Sequence, residues 1–295
     1  VLLLRRALVG LKQAGHAIVL LAPSEAGRAL VGGGAADADA LLAWERAELA
    51  TFLSDGGGPS LPQELRSLDA AIVYSRSEQL ARAVAGATSR LLVWDPRPSG
   101  AEHASRHLAR PLLELGAAVP EAIPSIVAER DALAAASSLL TRLPHRFLAL
   151  HPGSGSPGKN WPAERFLALA QIASPDRPWL LVAGPADDDA VQLLASDPRA
   201  VVASGQPARA LGALLARAEA FVGNDSGVSH LAAAFGAPTL ALFGPTDPSV
   251  WSPVGSRVTV LRSPTGRMED LPLDEAVAGL ERLGATSAVP GRPSD

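Results

Sequence analysis

Short, unbroken apolar runs, each followed by a longer amphipathic stretch, recur along this 295-residue chain, and that alternation restricts the fold more than any other feature. In the N-terminal half the runs are Ala17–Ala22, Ala70–Tyr74 and Arg90–Trp94. In the C-terminal half they are Phe147–His151, Trp179–Ala183, Val201–Ala203, Ala220–Gly223 and Thr239–Phe243. A strand that is apolar at every position is buried on both faces, as in a parallel sheet covered by helices. The stretches between them carry the helical period: Leu3, Leu4, Ala7, Leu8 and Leu11 line one face of Val1–Ala14, and Gly15 stops it. Further helices are expected at Ala26–Val31, Ala40–Phe52, Ser77–Ala85, His103–Leu115 (closed by Gly116), Ala128–Thr141, Ala163–Ala173, Asp187–Ala195, Ala208–Ala216, Gly227–Phe235 (ended by Gly236) and Asp274–Leu283. Gly56–Pro62 reads as a loop. The sum is two doubly wound α/β domains, 1–145 and 146–285, facing a cleft, with a polar Pro/Gly/Ser tail at 286–295 expected to be disordered.

Composition narrows the chemistry. With no cysteine, the chain has no disulfide scaffold, thiolate zinc site, iron–sulfur centre or cysteine nucleophile. A net charge of −4 carries no footprint of a bulk nucleic-acid binder. No apolar run reaches the ~18 residues that span a bilayer, and the opening VLLLRRAL is too short for a signal peptide, so a cytoplasmic protein is expected. The chain starts at Val1 inside a helical pattern, and its natural N-terminus is expected to lie upstream. The six histidines are scattered, and the i, i+4 pair His103/His107 reads as surface or acceptor-facing, so no metal site is expected.

In doubly wound sheets, ligands gather where the carboxyl ends of the strands open into loops. The loop after Phe147–His151 runs His151-Pro-Gly-Ser-Gly-Ser-Pro-Gly-Lys-Asn-Trp-Pro162, with Pro162 read at the first turn of the next helix. Its glycines let backbone amides approach an anion, Ser154 and Ser156 add hydroxyls, and Lys159 adds one of only two lysines in the chain. The loop after Ala220–Gly223 brings Asn224, Asp225, Ser226 and Gly227 to a helix start. There Ser226 is a natural N-cap, the amides and dipole favour a diphosphate, and His230 lies one turn further on. Asp225 is suited to sugar hydroxyls, because a carboxylate beside phosphate is repelled. Phe243-Gly-Pro-Thr-Asp-Pro-Ser-Val-Trp251 reads as a tight turn along the cleft edge, and Gly184–Asp189 offers an acid, Asp187 or Asp188, to a ribose.

HPGSGSPGKNWP, GNDSGVSHLAAAFGAPTLALFGPTDP and the spacing between them resemble glycosyltransferase family 9, the ADP-heptose:lipopolysaccharide heptosyltransferases. The resemblance implies a GT-B fold of two Rossmann-like domains, with the acceptor on the first and the nucleotide sugar on the second. It also implies inverting, metal-independent transfer of a heptose or related sugar from an ADP-sugar to a lipopolysaccharide core acceptor. The partners implied are an ADP-heptose-like donor and an anionic lipid-linked sugar, with no further cofactor, no nucleic acid and at most peripheral contact with the inner face of the inner membrane. Carried over by motif, Ser154 and Gly155 contact the diphosphate, Lys159 is the catalytic cation on the leaving ADP, and Asp225, Ser226, Gly227 and His230 bind diphosphate and heptose hydroxyls. Gln206 falls near the adenine and Asp187 near the ribose. The family's general base, an Asp in a Gly-Asp pair, aligns just before Val1, so a chain beginning there is expected to lack the first strand and that base. Residues 76–110 hold six Arg against three acids, which could face an anionic acceptor or form an ordinary mixed surface.

Two other readings stand beside this one. Gly153–Lys159 nearly fits a phosphate-binding loop of an NTPase, although Asn160 replaces the magnesium-binding hydroxyl. A non-catalytic nucleotide-sugar-binding homologue is the other.

Overall fold

A computed structural model describes residues 1–32, 34, 37–46, 63–66, 68–184 and 187–284; the expected loop at 56–62, the end of the expected helix at 40–52 and the tail at 286–295 lie outside the described residues. The chain divides into two compact units, Val1–Pro124 and Ser125–Asp295, ahead of the 145/146 boundary read from the sequence. Residues after 124 join the second unit through specific contacts: Ile126 N–H donates to Ala234 O (2.8 Å), and Glu129 pairs with Arg209 at 3.1 Å.

The first unit contains strands β1 (Val19–Ala22), β2 (Ala40–Ala43), β3 (Ala71–Tyr74) and β4 (Leu91–Trp94), and helices α1 (Arg5–Gln13), α2 (Ser24–Arg28), α3 (Glu78–Ala85), α4 (Ala104–His107) and α5 (Pro111–Glu114). β1 pairs with β2 and β3 with β4, both parallel. Helix α1 buries Ala7 against Ala109, Leu112 and Ala117.

Two expectations change here. Ala40–Ala43 is a strand rather than the start of a helix: Val19–Ala22 pairs with it residue for residue. Asp39 fixes its entry by accepting Ile18 N–H at 2.7 Å and Lys12 Nζ at 2.7 Å. Tertiary pairing therefore overrides the helix preference of Ala and Leu. The expected single helix at 103–115 is two short ones, because Pro111 lacks an N–H and its ring clashes with the preceding turn. His103 caps the first by accepting Ser105 N–H (3.2 Å), and His107 turns its Nε2 to Asp95 O (2.7 Å). The two rings therefore serve separate local bonds.

The second unit carries β5 (Leu148–His151), β6 (Trp179–Ala183), β7 (Ala200–Ser204), β8 (Ala220–Asn224), β9 (Thr239–Phe243) and β10 (Val258–Arg262) in one parallel sheet, ordered β10-β9-β8-β5-β6-β7. Its helices are α6 (Arg130–Ala135), α7 (Ser137–Leu140), α8 (Ala163–Ala173), α9 (Asp188–Ala195), α10 (Ala208–Leu215), α11 (Gly227–Ala234), α12 (Pro248–Trp251) and α13 (Leu273–Arg282). Helix α8 packs with α9 and α13, while α10 packs with α6 and α11. With right-handed crossovers these two groups cover opposite faces of the sheet. Strand β10 was not anticipated, although its Val-Thr-Val run is a strand signal; it closes the sheet edge beside β9, with Val258 opposite Thr239. Gly15, Gly116 and Gly236, read as helix stops, hold φ of 84°, 74° and 81°, the left-handed conformation that ends a helix.

Candidate active site

The sheet order places β5 beside β8, with Leu148–His151 opposite Ala220–Gly223. From β5 the chain proceeds outward through β6 and β7; from β8 it proceeds the other way through β9 and β10. The loops leaving β5 and β8 therefore diverge at their carboxyl ends, which makes this the switch point of the sheet and its natural ligand crevice. Both glycine-rich motifs of the sequence begin there.

The β5 loop folds on itself before it meets its neighbour. The Ser154 hydroxyl lies 2.7 Å from Ser156 O and 2.6 Å from Asn160 Oδ1, and its oxygen accepts Ser156 N–H at 3.2 Å. Pro157–Lys159 makes a 3-10 turn, closed by Lys159 N–H to Ser156 O at 3.0 Å. Gly155 and Gly158 face open space where a side chain would stand, so the backbone here is accessible to a ligand. The helix that follows is capped by Pro162 and starts at Ala163. Lys159 is thus separated from the helix N-terminus, unlike the lysine of an NTPase phosphate loop.

Lys159 Nζ reaches across to Asp225 Oδ2 at 3.1 Å, and Thr246 Oγ1 donates to the same oxygen at 2.9 Å. Loops after β5, β8 and β9 thereby converge on one carboxylate. The lysine side chain is 24% exposed and the aspartate 11%, so the pair is partly desolvated yet reachable from solvent. Next to it α11 begins. Ser226 caps it by accepting Ser229 N–H (3.4 Å), and Gly227 is exposed with open space at its Cα. The amides of Gly227 and Val228 have no partner within the helix, which makes this end favourable to anions. His230 is half-buried one turn on, its N–H reaching Ser226 O at 3.3 Å.

Two expected residues lie elsewhere. Asp187, read as a ribose acid, is turned into the body of the unit with its side chain 3% exposed. It accepts Gly184 N–H at 3.0 Å, lies 3.7 Å from His151 Nδ1, and packs so tightly on Gly153 that a Cβ there would fall 1.9 Å from its Oδ1. Gln206 follows β7, the edge strand two places from β5, and donates to Ser204 O at 3.2 Å. At ~4.8 Å per strand that places it about 10 Å along the sheet from β5, whose loop carries Lys159.

Two residues escaped the sequence reading. Thr246 stood in a loop read as a turn, and its signal was position at a strand's carboxyl end. Asn224 was quoted within its motif but given no role. It is fully buried and holds both ends of the β5 loop.

Burial holds the His151 ring below its ordinary pKa of 6.5, against a smaller upward pull from its bond to Val182 O and the nearby Asp187. The folded state therefore binds fewer protons than the unfolded one just below pH 6.5, so stability falls as pH drops through that window. We expect the unfolding free energy, measured with urea, to decline between pH 6.5 and 5.5 by up to about 1 kcal/mol from this group, and His151→Asn to flatten the decline. Equal slopes for both proteins would refute the assignment.

The match to Glycosyltransferase family 9 (heptosyltransferase) covers residues 95–277, well over half of the chain and all of the switch-point loops. The chain belongs to this family. Lipooligosaccharide heptosyltransferase 2 of Haemophilus influenzae is 31% identical over 120 residues, 38% of this chain and 35% of its own length. Lipopolysaccharide heptosyltransferase 2 of Salmonella typhimurium is 29% identical over 177 residues, 57% of this chain and 48% of its own. The matched part thus spans about a third to a half of these curated relatives. Among solved structures, a family 9 glycosyl transferase of Veillonella parvula superposes with a TM-score of 0.78 at 19% identity, covering 96% of this chain and 92% of that one. The E. coli heptosyltransferase WaaC, solved with ADP, gives 0.73 at 19% identity over 96% and 95%. The fold is the GT-B type expected from the sequence.

Proposed function

We propose that this glycosyltransferase family 9 member transfers a heptose or closely related sugar from an ADP-sugar to a lipopolysaccharide core acceptor, with inversion and without a metal. The observation that carries the reading is the meeting of Lys159, Asp225 and Thr246 beside the α11 N-terminus at the sheet's switch point. A pyrophosphate placed there is met by the Gly155 region of the β5 loop, by the Gly227 and Val228 amides and by the Lys159 ammonium. As an acceptor hydroxyl attacks the anomeric carbon, giving its proton to a general base, the bond to the leaving ADP breaks; negative charge grows on the β-phosphate, and these donors stabilise it more than in the ground state. Asp225, already pointed by Lys159 and Thr246, is suited to take sugar hydroxyls together with His230. Gln206 is left for the base further along the sheet. Asp187 supports the β5 loop from beneath instead of touching the ribose.

The N-terminal unit takes the anionic acceptor in this reading, and a lipid-linked acceptor places the enzyme in the cytoplasm, peripheral at the inner face of the membrane. Among the described residues no helix is long and apolar enough to cross a membrane. Calorimetry tests the donor half directly: ADP binds with a chelator present, and UDP binds more weakly. No binding of ADP, or binding only with added magnesium, would sink the proposal. The anomer of the transferred sugar, read by NMR against the donor, tests inversion.

A further inference from the structure

The β5 loop leaves its strand at Pro152 and returns at Trp161, and a single carboxamide from the neighbouring strand holds both points. Asn224 Oδ1 accepts Trp161 N–H at 3.0 Å; Nδ2 donates to Pro152 O at 2.7 Å and lies 3.5 Å from Gly153 O. Only one orientation of the amide satisfies these partners, since the Trp161 N–H needs the oxygen and the Pro152 carbonyl needs the NH₂. The side chain is fully buried, so solvent cannot substitute for either bond. The backbone carbonyl of Asn224 is held as well, accepting from Ser229 Oγ at 2.5 Å, which ties the brace to the first turn of α11. Gly223 makes room for that contact: a Cβ there would stand 2.9 Å from Ser229 Oγ.

Capping explains Ser226, and an acid suits Asp225, but neither explains a buried amide at 224. Strand burial alone would favour an apolar residue there, because a buried amide is tolerated only when fully paired. The bonds connect two places that the proposed donor site needs in register: the loop carrying Ser154 and Lys159, and the strand end carrying Asp225 and Ser226.

We infer that Asn224 is a positioning residue for the donor pyrophosphate, setting the spacing between the β5 loop and the α11 N-terminus so that Lys159 and the helix amides address one ligand. This rests on the donor reading above and goes beyond it by assigning the register of the site to one buried carboxamide. Replacing Asn224 with aspartate at the same shape separates the two bonds. The carboxylate still accepts Trp161 N–H but turns an oxygen lone pair against Pro152 O. A protonated carboxyl regains a donor and can make both bonds.

The test is ADP affinity of the whole chain by calorimetry from pH 8 to pH 5.5, with melting temperatures measured alongside. If the loop is held in register only about a tenth of the time, apparent affinity falls about tenfold. Asn224→Asp is therefore expected to bind ADP about tenfold more weakly than wild type at pH 8 and to approach wild type at pH 5.5. Comparison with wild type at each pH cancels the effects of His151, Asp225, Lys159 and His230, which both proteins carry, and of the nucleotide itself. In a Lys159→Ala background the loss on adding Asn224→Asp should shrink, because both changes act on the same contact. Wild-type-like affinity at every pH would overturn the inference. So would a pH-independent loss that simply tracks a collapse in melting temperature. Failure of the wild type to bind ADP would instead count against the donor reading, which keeps the two apart.

Discussion

Lys159→Ala lowers the rate of sugar transfer by about 10²- to 10³-fold, the effect of removing one charge-stabilising donor from a partly desolvated site. Lys159 stands at the switch point, bonded to Asp225 at 3.1 Å. That bond fixes its position before any ligand arrives, so the proposed reaction would need little reorganisation as charge develops on a leaving diphosphate. ADP affinity should fall less, about tenfold, because ground-state phosphate also meets backbone amides that the substitution leaves intact. A larger loss in turnover than in ADP affinity is the signature of a group that acts as the bond breaks. Steady-state kinetics with an ADP-sugar donor and calorimetry with ADP supply the two numbers. Equal losses would reduce Lys159 to a binding residue, and unchanged turnover would remove it from the chemistry.

Trp161→Ala destabilises the second unit by about 3–5 kcal/mol, the range for deleting a large aromatic side chain from a packed core. Trp161 is 1% exposed, sets its ring edge-on to Phe166 at 5.1 Å between centroids, and donates Nε1–H to Leu271 O at 2.9 Å. The indole N–H is the smaller part: Arg165 also donates to Leu271 O, at 2.6 Å, so that carbonyl keeps a partner. Trp161→Phe, which retains much of the ring packing, should therefore cost much less. Urea unfolding followed by far-UV circular dichroism measures both. Comparable losses for the two variants would mean that the hydrogen bond, not the ring, holds this corner. Since total stabilities are about 5–15 kcal/mol, the alanine variant stands near the limit of folding. It also loosens the return point of the β5 loop, whose N–H is held by Asn224.

Local pattern carried much of the architecture. The four central runs of the second unit are strands because each is apolar but for a polar residue at one end in three of them, and each is bounded by turn residues. Ser226 caps α11 as its position before an apolar helical stretch predicted, and Gly236 ends that helix with φ of 81°. The placements that local pattern did not reveal share a cause. Ala40–Ala43 favours helix by its own residue types and becomes a strand because β1 lies beside it. Asp187 was placed by its position after a strand, but its orientation depends on Gly153 and Gly184 leaving space beneath the loop, and such complementarity has no period to detect.

Residue types along the chain were enough to establish parallel α/β units and to point to the two glycine-rich loops at the strand ends. Nothing in their spacing said that Lys159 would meet an acid 66 positions away, or that Thr246 would join it from 21 positions beyond that acid. Those meetings follow from sheet order. Period and propensity act within a few residues, whereas the order β9-β8-β5-β6 is selected by how helices and strands pack over the whole unit. Only that packing brings three separate loops together at one carboxylate, the place proposed for the donor's diphosphate.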